Sequence, residues 1–259
     1  MAMELFESEQ QEPSLAEVPR QPSTRERELR EATRIPCRAW CPYCVSTRAR
    51  GDYHSGSSSP EESAQREYAT IQADFFYCEE RKDEAKCVLI LVDCWTRYVH
   101  AEPLKIRNRR SVGESMARFL GNLGYSETVE IAVDNEPVLV AGMEFCKEAR
   151  LRLGFSTGVT TNKNYDTSRT SAAKRMIQTI RNLQKTLILQ LEVNSVQDTR
   201  WTLHQILGHC PRSMALYSRY HVHSHLKITP FQAVTGRPYR GKLANFSQMV
   251  FGGSEGWKV

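Results

Sequence analysis

Asp74 stands within ADFFYC, a run otherwise apolar and aromatic, and Asp134 closes the apolar stretch of TVEIAVDNEP. A carboxylate in such a run is costly unless a cation, a proton or hydrogen bonds compensate it. Two of them on neighbouring strands would form a site for Mg²⁺ or Mn²⁺, hard cations that prefer oxygen ligands. The plain alternative is an exposed strand position for Asp74 and, for Asp134, a turn cap before Glu136–Pro137. A second group is Cys37, Cys41, Cys44 and His54. Cys-x-x-Cys with a distal histidine is compatible with tetrahedral Zn²⁺, with Cys41, Cys44 and His54 as candidate ligands and Cys37 as a fourth. Third, Lys174, Gln178, Arg181 and Lys185 recur at three- or four-residue steps, with Arg175 beside them. Such spacing puts them on one helix face, suited to a DNA backbone or simply to water.

Other residues read more blandly. His221, His223 and His225 alternate, but HVHSH precedes a turn and has no thiol or carboxylate beside it. Trp95 follows a core strand, where packing or a turn contact is expected rather than base stacking. Cys78, Cys87 and Cys94 read as core thiols.

The elements that must position these groups follow from periodicity. ADFFYC (73–78), KCVLILVD (86–93) and YVHAEPL (98–104) predict three successive strands. SVGESMARFLGNL predicts a helix from Ser111 that Gly124 stops, and TVEIAVDNEP a strand ending at Asp134. A helix over 138–153 and a fifth strand in GFSTGVT come next. From Ser168 a long amphipathic helix is expected, with Ala173, Met176, Ile177, Ile180, Leu183 and Leu187 on its apolar face. A further helix runs from about Ser195 to Tyr220, and ITPFQAVTGRPYRGKLANFSQMVFG is expected to begin a small packed β module.

At 259 residues and 40% hydrophobic, the chain can bury one sizeable core. No run approaches the roughly twenty apolar residues of a membrane span, and the start is acidic, unlike a secretory signal. Eight scattered cysteines fit a reducing compartment, so a nuclear or cytoplasmic location, not secretion, is expected. The net charge of +5 understates the body, because Glu4, Glu7, Glu9, Glu12 and Glu17 all precede the first basic residue, Arg20. A basic body permits contact with phosphate backbones. The boundaries expected are a disordered leader at 1–32, with at most a frayed helix over 25–31; a Cys-rich element at 33–54; a Ser/Gly linker at 55–66; a core at 67–225; and an appendage at 226–259.

In this order, RIPCRAWCPYCVSTRARGDYH, ADFFYC, VLILVDCWTRYVHAEPL, VEIAVDNEP, KRMIQTIRNL and TPFQAVTGRPYRGKLANFSQMVF resemble integrases of long-terminal-repeat retrotransposons, most closely copia-like elements of dinoflagellate type. The resemblance runs from about 33 to 252. It implies an α/β, RNase H-like three-layer core with a mixed five-stranded sheet, an ancestry in DNA integration, DNA as partner and pairing of cores as homodimers. It also implies that Asp74 and Asp134 are the first two carboxylates of an Asp-Asp-Glu triad holding two metal ions. The third carboxylate does not carry over. Where the family has Glu-Arg at the start of the amphipathic helix, this chain reads Thr170-Ser171-Ala172-Ala173-Lys174-Arg175. An ammonium about 4 Å from a divalent ion is repelled by about 8 kcal/mol at an effective dielectric of 20. Asp166 lies in the loop before the helix and Glu192 several turns beyond, so neither repeats the register of Lys174. The family's His-x-x-x-His pair before the two cysteines is also missing, with Arg34 at the nearer position, which makes the Cys-rich segment a zinc-knuckle-like remnant. Three functions are therefore weighed: a degenerate integrase that binds nucleic acid; an active two-metal strand transferase or endonuclease with a substitute third ligand; and a DNA-binding or oligomerisation module without catalysis.

Overall fold

The computed structural model describes residues 21–48, 68–78, 86–161, 170–194 and 203–241. Strands β1 (Ala69–Cys78), β2 (Lys86–Asp93), β3 (Val99–Pro103), β4 (Val129–Val133) and β5 (Thr157–Thr161) form one sheet in the order β3-β2-β1-β4-β5. The pairs β1–β2 and β2–β3 are antiparallel, and β1–β4 and β4–β5 are parallel. Both parallel pairings require crossovers. These are α3 (Arg109–Asn122), between β3 and β4, and α4 (Pro137–Leu151), between β4 and β5. A three-strand meander extended by parallel strands through helical crossovers is the RNase H-like architecture that the resemblance implied.

Strand β2 is buried on both sides, which explains its unbroken apolar sequence. Val88, Ile90 and Val92 point into one core cluster, Cys87, Leu89 and Leu91 into the other. The second cluster is closed by α3 and α4 through Val112, Met116, Leu120, Leu139 and Met143. These two helices approach closely at glycines: a β-carbon on Gly113 would stand 2.8 Å from the Gly142 carbonyl oxygen. The first cluster is closed by α5 (Ser171–Asn194) and α6 (Leu203–Tyr220), with Ala173, Ile177, Ile180, Leu187, Met214 and Leu216 inward. Helix, sheet and helix thus make three layers. Among the described residues no helix is long and apolar enough to cross a membrane.

Two expectations need correction. Residues 21–32 are not a leader with a frayed turn, because α1 (Thr24–Thr33) is a capped helix. Ser23 Oγ accepts from the Glu26 amide at 3.2 Å and Glu26 accepts from the Ser23 amide at 2.8 Å, a reciprocal box that satisfies two helix-end donors. Arg30, Ala32 and Thr33 are buried. Helix α1 and the short α2 (Pro42–Arg48) seat the Cys-rich segment on α5. Ile35 joins the α5–α6 core, and Thr47 and Thr186 hydroxyls meet at 3.2 Å. Secondly, the tail does not open as a β module. Thr229 caps α7 (Pro230–Thr235), accepting from the Gln232 amide at 3.1 Å, Pro230 takes the first turn, and Gly236 ends it at φ 73°. The leader's first 20 residues, the linker at 55–66 and residues 242–259 lie outside the described residues.

Candidate active site

The sheet brings the two aspartates together through its parallel register. Ala73 pairs with Val133, and Asp74 and Asp134 are the next residues on each chain path. Strand alternation puts Asp74 on the face of Gln72 and Phe76, the side covered by α5, since Ile71, Ala73 and Phe75 enter the opposite core. Gln72 is the positioning device. Its side-chain oxygen, on a residue only 3% exposed, accepts the Ala172 amide at 2.8 Å and the Ala173 amide at 3.2 Å. Those are orphan donors of the first turn of α5, so the central strand caps the helix directly. The next residue is Lys174, whose Nζ donates to Asp134 Oδ2 at 3.0 Å.

Asp74, Asp134 and Lys174 therefore form one cluster. Asp74 Oδ1 accepts the Phe75 amide at 2.8 Å and Asp134 Oδ1 the Asn135 amide at 2.8 Å. Burial raises the pKa of Asp74 above its ordinary value. The Phe75 amide and the Lys174 charge pull it down, and the neighbouring Asp134 and Glu136 charges push it up. Beside it is a group that sequence reasoning missed. Glu136 Oε1 accepts the Tyr77 hydroxyl at 2.9 Å and Arg107 Nη1 at 2.7 Å, and Arg107 also donates to that hydroxyl. Burial, with Glu136 beside it, pushes Tyr77 up to about 12. The acid after Asp134-Asn135 was visible in the sequence, but Arg107 lies in a loop whose path no periodicity shows. Asp166, the rescuing acid weighed from the sequence, lies outside the described residues.

The basic residues follow α5 outward. Arg175, Gln178, Arg181 and Lys185 are exposed, and Lys174 is half-buried at their head. Arg181 leans over the Phe76 ring at 5.2 Å, which holds its charge near the strand carrying Asp74. Trp95, expected in packing or a turn contact, makes the turn through its amide, 3.1 Å from Asp93 Oδ1, while its side chain is 67% exposed.

Cys41 and Cys44 are buried at the other end of α5, beside Thr186 and Gln190, roughly 18 Å along the helix from Lys174 at 1.5 Å per residue. Their neighbours are cationic: Arg30 donates to Cys44 Sγ, and Arg34 Nη1 lies 3.6 Å from Cys41 Sγ. Burial pushes the Cys44 thiol up to about 12. Cys41 stays below its ordinary value, because the Cys44 amide and the two arginine charges outweigh its burial. His54 lies outside the described residues, and among the described residues no three His, Cys, Asp or Glu side chains are grouped to hold a metal ion.

No family model matches the chain, and no curated protein matches it significantly. Among solved structures it is similar to the HTLV-2 integrase catalytic core domain in complex with magnesium. For the trimeric form the identity is 16% over 64% of this chain and 95% of that chain, with a TM-score of 0.46. For the dimeric form the identity is 16% over 64% and 94%, with a TM-score of 0.44. It is also similar to a chain of a simian T-cell lymphotropic virus intasome in complex with PP2A regulatory subunit B56 gamma, at 18% identity and a TM-score of 0.48. There it covers 68% of itself and 56% of that chain, about half the latter's length. The fold assignment rests on the strand order and not on these likenesses.

The donor set at the aspartates does not suit two divalent ions. Among the described residues two carboxylates are offered, one already bonded to an ammonium, and a further nearby acid, Glu136, is engaged by Tyr77 and Arg107. What the cluster does offer is an ion pair, Lys174 with Asp134, at the head of a basic helix face.

Proposed function

We propose that the protein is an integrase-like, nucleic-acid-binding protein of retrotransposon ancestry, copia-like in its motifs, whose strand-transfer site is degenerate. The observation that carries this reading is the Lys174–Asp134 pair, 3.0 Å apart, at the point where the resemblance calls for a third carboxylate. A two-metal mechanism needs acids that hold two cations on either side of the reacting phosphate. Here a side-chain cation bonds to one of the two remaining acids, so no metal-dependent step is assigned to this site. Lys174, Arg175, Arg181 and Lys185 form the face offered to a DNA backbone, where charge neutralisation gives affinity without sequence readout. Self-association through the core, which the resemblance also implies, belongs to the same reading.

The test is Mg²⁺- or Mn²⁺-dependent nicking and end-joining of labelled DNA by the purified chain, by Lys174→Glu, and by Asp74→Ala in both backgrounds. The expected result is joining only by Lys174→Glu, abolished by Asp74→Ala. Joining by the unmodified chain that requires Asp74 would overturn the degenerate reading and favour an active strand transferase. Glu136, close enough to raise the pKa of Asp74, would then be the substitute acid to test.

A further inference from the structure

The cysteine pair sits among cations that its sequence spacing did not announce. Cys-x-x-Cys supplies two corners of a tetrahedral zinc site, and two residues four apart on a helix supply the other two when both are neutral ligands. The segment has that frame: Arg30 and Arg34 are four apart, on α1 and at its C-cap, and both face the sulfurs of Cys41 and Cys44. Both residues are guanidinium carriers, which cannot shed a proton and cannot ligate a metal. Together they bring two guanidinium charges beside the two sulfurs.

Arg30 shows how committed this arrangement is. It is 2% exposed, and among the described residues its Nε and Nη1 meet no hydrogen-bond partner. A buried cation in that condition needs electron-rich neighbours, and its remaining nitrogen donates to Cys44 Sγ. Arg34 reaches Cys41, stacks 4.7 Å over the Tyr43 ring, and donates from Nε to Gln190 Oε1 at 2.6 Å. Gln190 in turn donates to the Glu31 carbonyl at 3.3 Å. The arginines thus join the cysteine turn to α1 and α1 to α5.

We propose that Arg30 and Arg34 are built-in donors to the sulfurs of Cys41 and Cys44, occupying the place of metal ligands, so that this clasp fastens α1 and α2 to α5 without zinc. Two imidazoles at the same positions would turn it into a tetrahedral zinc site. The proposal concerns the far end of α5 and stands apart from the reading of the aspartate cluster.

Native mass spectrometry and metal analysis of the full chain, purified in the presence of zinc, provide the test. The unmodified protein is expected to carry no zinc and to keep its melting temperature when a strong chelator is added. Arg30→His with Arg34→His is expected to carry one zinc per chain and to melt earlier in chelator. One zinc per unmodified chain, lost in Cys41→Ser, would overturn the proposal. A folded double variant that stays zinc-free would overturn it too, because the arginines would then not mark the missing corners. If the double variant fails to fold, the zinc content of the unmodified chain decides.

Discussion

Reversing the charge at Lys174 should make the stability of this protein depend on magnesium. Lys174 Nζ and Asp134 Oδ2 are 3.0 Å apart, which at an effective dielectric of 20 would be worth about 5–6 kcal/mol. Both side chains are more than a third exposed, at 37% and 39%, so solvent screening brings the net value to about 1 kcal/mol or less. Lys174→Glu removes that attraction and adds repulsion of similar size against Asp134 and Asp74, a swing of about 2 kcal/mol at most. For a chain of this size that is about 4–8 °C in melting temperature. A cation that binds only the folded variant, at ten times its dissociation constant, returns about 1.4 kcal/mol. Thermal melts by circular dichroism, with and without MgCl₂ at matched ionic strength, would show the variant melting low and recovering several degrees with Mg²⁺. The unmodified chain should stay flat. A melting temperature of the unmodified chain that rises with Mg²⁺ as much as the variant's would refute the reasoning, because the lysine would not be excluding the ion.

Three further outcomes are expected. The raised pKa of Asp74 means that the folded state holds its proton more tightly than the unfolded state. This group's stabilising contribution is therefore full below about pH 4 and is lost as pH rises through the folded value; Asp74→Asn should flatten that slope and raise stability at neutral pH, as chemical denaturation across pH would register. Gln72→Leu strips the cap from two buried amides of α5 and should cost about 2–3 kcal/mol, read as a lower denaturation midpoint, with Gln72→Glu recovering part of it. Arg181→Gln with Lys185→Gln should weaken duplex binding alike on unrelated sequences and lower the slope of log affinity against log salt by up to about 2, whereas an unchanged slope would separate this face from DNA.

The sequence made some elements plain and hid others, for physical reasons. Strand β2 was legible residue for residue because burial on both faces leaves an unbroken apolar run bounded by Lys86 and Asp93. The meeting of Asp74 and Asp134 was legible once β1 and β4 are taken as neighbours, because the parallel register then sets them side by side. Helix α1 was not, because its mean composition is polar. Its burial comes from Arg30 against Cys44 and from Gln190, some 160 residues away from Arg34 in chain order, as their separation of 156 shows. Helix α7 is written locally, in Thr229-Pro230 and Gly236, but the same residue types also make turns, so the caps do not by themselves distinguish a short helix from a turn. The triangle of Glu136, Tyr77 and Arg107 depends on the loop after β3 reaching the ends of β1 and β4, which spacing does not encode.

The cap that Gln72 places on α5 separates two jobs that a metal-dependent site tends to merge. In such a site the ion both reacts and holds its ligands in place, so losing a ligand loosens the frame. Here the start of the helix is fixed to the central strand by two amide hydrogen bonds that do not involve residue 174. Residue 174 can thus change without slipping the helix, because the two bonds that fix the helix start lie at 172 and 173. A glutamate at 174, one base change from lysine, would meet a scaffold already in register.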